Sequence, residues 1–446
     1  MDTDIEMRSN NNVFTGFPTE RDPMLSKTSP RSAPLDKGNI VYFVLLLNGI
    51  GVLLPWNMFI TIAPQYYVDY WFTLNGTQTE YAKDFMSALG IASQLPNLTI
   101  NVVNIFLVIG GSLLLRIFGP LILNCINVFI VLLLIFLVNP NHDDMGWYYA
   151  VTLLLVAILN ASNGLYQNSI FGLAADFPRN YTNAIVLGSN LCGIFTTVLH
   201  VICTLLISEI RTIALIYFSI SLVTLVACGI TLLFGSKKVF FNYYIEMGVR
   251  AREMDNTDKP SLAQYLACFK DCWVQLFNVF FTYFITLTIF PAIMASSPLY
   301  REDGEIWDFF IPENIYVTVM TFFNFNFFAT IGSFTAGLIQ IPSEKYLVIP
   351  VVFRALFVPF FVLCNYRPLD RTLPVIFTSP YLFFFGGSLM SFTHGYFSSL
   401  GMMYAPRVVP RSLSKIAGMT AAMCLILGLF SGVSFTLVVA SLTTLS

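Results

Sequence analysis

Amides recur at helical spacing inside the long apolar runs of this sequence. Asn163, Gln167, Asn168 and Ser169 fall within two helical turns. Asn97, Asn101 and Asn104 stand at i, i+4 and i+7, one face of a helix, with Gln94 three residues earlier. A further run holds Asn324, Asn326, Gly332 and Ser333. An unpaired amide or hydroxyl in hydrocarbon costs roughly 2–7 kcal/mol. Each such face must therefore meet a partner helix or look into a polar cavity, where neutral groups could hold an uncharged polar solute. Trp56, flanked by Pro55 and Asn57, adds a flat aromatic face with one N–H. It suits stacking on a heterocycle as well as ordinary packing. Pro55 removes a backbone donor and loosens its helix mid-run.

The missing chemistry narrows the choice. No Asp or Glu falls inside an apolar run. Proton relays and sodium sites rest on such carboxylates, so their absence points to uncoupled passage. It also points away from an intramembrane hydrolase, and no GxxxxGK[ST] stretch exists for ATP drive. The chain reads as no enzyme, without cofactor or metal. Cys268 and Cys272 are four apart with no nearby His, poor spacing for zinc. His200 and His394 read as hydrogen-bond partners inside spans. Arg354, eight residues into its run, either finds a partner there or reaches the cytosolic surface along its stem.

The elements that position these groups follow from composition. Of 446 residues, 56% are hydrophobic and only 11% charged, against about 25% in soluble domains. Mean hydropathy is +0.72. This is an all-α polytopic membrane protein in a lipid bilayer, and a net charge of −2 argues against nucleic acid. Eleven transmembrane helices are expected, near 39–64, 85–110, 119–138, 147–174, 181–206, 212–235, 273–294, 314–340, 346–365, 373–402 and 414–442. A break at Gly110–Gly111 makes the third the least regular.

Loop charges set the orientation. With the amino terminus in the cytosol, 17 of the 23 Lys and Arg fall on the cytosolic face and five on the other. Residues 1–37 are polar and read as a disordered cytosolic tail. Residues 38–235 form a six-helix bundle and 273–446 a five-helix bundle. Residues 236–272 between them, with mixed charges, read as a solvated cytosolic linker with room for a short amphipathic helix. Such a 6+5 split suggests two halves about a central path. Asp176 to Asn180 reads as a short polar hinge. Asn75, in the Asn75-Gly76-Thr77 sequon of the first outside loop, is the candidate glycosylation site.

Several stretches, in order, resemble the equilibrative nucleoside transporter family. They are Gly51–Phe59, Tyr166–Thr182 with Gly188–Gly193, Leu287–Ala292, Ala355–Tyr366, Gly395–Pro406 and Ile416–Val433. The resemblance runs from about Tyr42 to the carboxyl terminus. It implies a major-facilitator-like fold and facilitated diffusion of nucleosides by alternating access, with a cytosolic amino terminus, an extracellular carboxyl terminus and residence in the plasma membrane. By position it implies that Trp56 borders the base with Leu53 and Asn57 beside it. Gln167 would hydrogen-bond the base, Ser169 would shape the site, and Leu429 would close it. Gly164 and Gly188 would allow close packing, and Gln94 takes a cavity-lining place. One departure stands out. The family's Asn-x-x-Asp-x-x-Gly-Arg reads here as Asn326, Ala329, Gly332 and Ser333, so both charges are gone. Gln94, Asn97 and Asn326 are left to supply hydrogen bonds, Ser333 would line the cavity with Trp56, Gln94, Gln167, Asn326 and Leu429, and nucleobases or another small organic solute stand beside nucleosides as cargo.

Overall fold

A computed structural model describes residues 33–74, 76–106, 113–254, 262–301, 307–368 and 371–444. Most of the cytosolic tail, Asn75 and the Gly110–Gly111 break lie outside the described residues. The long helices are α1 (Ile40–Ala63), α2 (Glu80–Phe106), α3 (Leu113–Leu137), α4 (Met145–Ala174), α5 (Arg179–Leu206) and α6 (Ile210–Ser236). Then come α7 (Val239–Met254), α8 (Leu262–Ile289), α9 (Ala292–Ala295), α10 (Glu313–Val317) and α11 (Asn324–Leu338). The last are α12 (Val348–Phe353), α13 (Phe357–Leu363), α14 (Pro380–Tyr404) and α15 (Ser414–Thr444). A π-helical turn, Thr318–Phe323, joins α10 to α11.

Among the described residues, eight helical segments are long and apolar enough to cross a membrane. The 27-residue α2 and the 25-residue α14 are long enough but stand outside that set. Their amides, hydroxyls and His394 dilute the hydropathy. The ninth expected run is not one helix. It is α12, a 3₁₀ turn at Arg354–Leu356, and α13. The region expected as a linker contains α7 and the first turns of α8, which begins at Leu262 rather than near 273.

Close helix crossings hold the bundle together. Gly49 on α1 faces the Ile185 carbonyl, and Gly188 on α5 faces the Leu46 carbonyl. A methyl group at either would strike backbone, so only glycine permits this approach. Gly332 and Gly395 bring α11 onto α14 in the same way, against the carbonyls of Phe392 and Ala329. The α1 amino terminus is fixed by Asp36, whose carboxylate accepts from the N–H groups of Val41 and Tyr42 and from the Tyr181 hydroxyl. The end of the bundle holding Asp36 is called the near end below.

Gly188→Val should overpack the α1–α5 crossing and cost about 1–3 kcal/mol or more, read as a lower Tm in detergent. Gly90→Ala is the control, since its added methyl meets nothing within 4 Å. It should leave Tm unchanged or slightly raised.

Candidate solute-binding site

Of the four α4 residues singled out from sequence, Asn163, Gln167, Asn168 and Ser169, three are enclosed by helix packing. The Asn163 side chain donates to the Val52 carbonyl on α1 and accepts from Asn124 on α3 at 3.5 Å. Asn168 donates to the Met419 carbonyl on α15 at 3.0 Å and to Asn101 Oδ1 on α2 at 3.2 Å. The Ser169 hydroxyl is sealed in without a partner. Gln167 is the remaining member. It is 6% exposed, and no hydrogen bond to another described residue engages its amide.

The α2 stripe divides similarly. Asn101 donates to Asn97 Oδ1 at 3.0 Å, and Gly164 on α4 leaves the room these two amides occupy. They form helix-to-helix contacts. Gln94 is half-buried, and its Oε1 is sealed in without a partner, as the Ser169 hydroxyl is. The side chain of Asn104 lies outside the described residues. On α1, Trp56 is half-buried and lies parallel to Phe59, ring centres 6.5 Å apart. Asn57 donates to Cys192 Sγ at 3.4 Å. Leu53 and Leu429 are half-buried against the same apolar cluster as Trp56.

On α11, Asn326 donates to Thr197 Oγ1 on α5 at 3.2 Å and lies against Gly193. Ser333 is fully buried. Its hydroxyl donates to the Gly395 carbonyl at 3.1 Å and accepts from Asn190 at 2.6 Å. Its own carbonyl accepts from Asn183 at 3.0 Å. Ser333 thus clasps α5, α11 and α14 together. Ala329 is equally enclosed. Asn190 and Asn183 on α5 were not singled out from sequence, although Asn190 stands in the Gly188–Gly193 stretch. The two stand seven residues apart on one face of α5, with Thr197 seven further on, and that spacing is the signal that could have marked them.

Arg354 does not reach the surface. It is 2% exposed and donates to the Met390 carbonyl, Thr393 Oγ1 and Thr286 Oγ1, at 3.1, 2.6 and 2.5 Å. No carboxylate is among these partners. His200 faces the Tyr217 hydroxyl at 3.1 Å. An apolar groove of about 510 Å³ lies between α1, α5 and α6, lined by Leu47, Ile50, Leu191 and Phe195 among others. It opens outward past the exposed Phe195 and Val198 and holds none of the residues above.

The helices before and after α7 meet at the near end. Arg407 donates to the Phe177 carbonyl and Arg179 to Gln340 Oε1, each at 2.6 Å. Here the hinge and the linker depart from expectation. Asp176 is buried, not solvated, and pairs with buried Arg252 of α7 at 2.9 Å. Gly248, one turn before Arg252, leaves the space that the Asp176 carboxylate fills. Burial pushes the Asp176 carboxyl above its ordinary value, and Arg252 opposes that shift without cancelling it.

Arg252→Gln should strand the carboxylate and destabilise the fold by about 3–5 kcal/mol, with much of it restored by adding Asp176→Asn. Because the folded pKa of Asp176 is raised, the penalty is full above that value. It should fade as pH falls toward the ordinary carboxylate range. Thermal unfolding of the single and double variants across pH checks this.

The family described as nucleoside transporter matches residues 153–441, more than half of the chain. Gln167, Asn326, Ser333 and Leu429 fall within that match, while Trp56 and Gln94 precede it. Equilibrative nucleoside transporter 3 of Rattus norvegicus is 29% identical over 434 residues, covering 90% of this chain and 88% of its own length. Equilibrative nucleoside transporters 1 and 2 of Homo sapiens are each 26% identical, each covering 90% of this chain and 97% of their own. Among solved structures, a human organic anion transporter aligns with a TM-score of 0.49 at 14% identity, covering 90% of this chain and 93% of that one. At that score nothing about the helix arrangement follows. With the family match spanning α4 to α15, the chain belongs to the nucleoside transporter family, a family of membrane transporters and not of enzymes.

Proposed function

We propose that this protein is a passive, equilibrative carrier of nucleosides that works by alternating access. Eleven spans make two bundles, 38–235 and 273–446, with 236–272 between them on the cytosolic side. The near end is cytosolic, the carboxyl terminus is extracellular, and the plasma membrane is the site of action. Cargo binds between the bundles, against Trp56, Leu53, Asn57, Gln94, Gln167, Asn326 and Leu429. Ser333 contributes by holding α5, α11 and α14 together. The state described here has its cytosolic end closed by the bonds from Arg407, Arg179 and Asn183.

The single observation that carries this reading is the unmet amide of Gln167. Its α4 neighbours are enclosed by packing, whereas the Gln167 amide is unpaired among the described residues and not one of the sealed polar atoms, so water or a ligand can complete it. An amide presents a donor and an acceptor together, which matches the edge of a nucleobase. A flat indole such as Trp56 complements the face of the same ring. The spans carry no carboxylate to couple passage to protons or sodium.

Purified protein in liposomes should give saturable uridine or adenosine flux that a pH or sodium gradient leaves unchanged. Gln167→Ala should raise KM about tenfold, the effect of one lost hydrogen bond in a buried site. Accumulation of tracer above the external concentration would overturn the uncoupled mechanism.

A further inference from the structure

We propose that His394 is a specificity-determining residue of this carrier, its Nε2 a fixed hydrogen-bond acceptor for an N–H or O–H of the cargo. The inference rests on the nucleoside-carrier reading above and assigns a contact beyond it. His394 is 4% exposed on α14. Its ring stands edge-on to Tyr283 of α8, centres 4.9 Å apart, and 5.4 Å from Phe325 of α11. It lies ten residues before the near end of α14, and Asn326 lies twelve before that of α11. Both are therefore about 15–18 Å deep along their helices. Half-buried Tyr283 packs against the same apolar cluster as Trp56, Leu53 and Leu429. The imidazole thus sits one aromatic ring from the apolar cluster that the residues proposed to surround the cargo also flank.

The tautomer follows from counting protons around Thr286. Its hydroxyl lies 2.7 Å from the Thr282 carbonyl, 2.5 Å from an Arg354 nitrogen and 3.0 Å from His394 Nδ1. The carbonyl can only accept and the guanidinium can only donate. The one hydroxyl proton therefore goes to Thr282, and both lone pairs of Thr286 receive, one from Arg354 and one from His394. That makes Nδ1 a donor and leaves Nε2 with a lone pair. Among the described residues Nε2 has no hydrogen-bond partner, nor does it belong with the polar atoms sealed away from all access. Arg354 is a positioning residue here. Held by α14 through Met390 and Thr393, it fixes Thr286 as an acceptor and so fixes which imidazole nitrogen faces the cargo.

A lone pair at this place has particular value in this chain. Ala329 carries no polar group, and the Ser333 hydroxyl is already engaged on both sides. The donor is the 2′- or 3′-hydroxyl of the ribose or the exocyclic amine of the base, and the test separates these.

Uptake kinetics are to be measured in proteoliposomes for wild type, His394→Leu, His394→Gln and Thr286→Val. The cargo panel is adenosine, 2′-deoxyadenosine, 3′-deoxyadenosine and purine riboside, which lacks the exocyclic amine. His394→Leu should raise the KM for adenosine about tenfold with maximal flux little changed. The same substitution should leave KM unaltered for the one analogue that lacks the recognised donor. A ribose contact singles out a deoxynucleoside, and a base contact singles out purine riboside. Gln can place an acceptor oxygen near the Nε2 position, so His394→Gln should stay within about threefold of wild type. Thr286→Val, which frees the tautomer without entering the site, should raise KM with the same analogue pattern. Should His394→Leu not reach the membrane, the Thr286→Val pattern decides. A rise in KM equal across all four cargos, or no rise, overturns the proposal. Absence of saturable wild-type flux overturns the carrier reading itself.

Discussion

Every polar side chain on a membrane-spanning helix must find a partner where water is absent, and the architecture of this protein depends on how its amides meet that demand. Asn48 accepts from the Tyr166 hydroxyl at 2.7 Å, joining α1 to α4. Asn163 joins the same two helices, Asn168 joins α4 to α2 and α15, and Asn183 joins α5 to α11. A neutral hydrogen bond of this kind contributes about 1 kcal/mol net, while leaving the group unpaired costs more. The amides are therefore strong constraints on register and only modest sources of stability. Among the described residues a few atoms are left sealed in without a partner, Ser169 Oγ, Ser399 Oγ and Gln94 Oε1 among them, while the Gln167 amide and the His394 lone pair are unpaired but not sealed.

The treatment of charge follows the same constraint. Arg354 lies in the interior with no carboxylate, its guanidinium bonded to two hydroxyls and a carbonyl. The buried ion pair, Asp176 with Arg252, lies instead at the near end, between the α4–α5 connection and α7. On α11 the two positions where the resemblance implies Asp and Arg hold Ala329 and Ser333, both fully buried at the α11–α14 crossing. Gly332 and Gly395 bring backbone against backbone there, so longer side chains would have to force the helices apart. Loss of both charges together is the change a buried pair tolerates best, because neither ion is left alone.

The bonds that close the near end suit a rocking carrier. They run from Arg407 to a carbonyl, from Arg179 to an amide oxygen, and from Asn183 to a carbonyl. Each trades readily with water once exposed, so separating the halves at that end exchanges partners without stranding them. The crossings within each set of helices, such as α1 on α5 and α11 on α14, rely on glycine against backbone. Such contacts have no second arrangement nearby, which holds each pair of helices together.

The sequence by itself determined the membrane class, most of the helices and the polar faces. Those follow from hydropathy, helical period and the cost of an unmet polar group, all local quantities. It also marked Gln167, Trp56 and Gln94, since amide and indole inside an apolar run are conspicuous. Only the tertiary structure decided which amides pair with each other. Asn97 and Asn101 are indistinguishable from Gln94 by spacing, and the difference is whether Gly164 of another helix stands opposite. It also decided that Ser333 is a clasp, that Arg354 faces inward, and that Arg252 of an apparently solvated linker covers Asp176. Each of these depends on a partner 36 to 143 or more residues away, and no local pattern encodes what a distant helix brings to the contact.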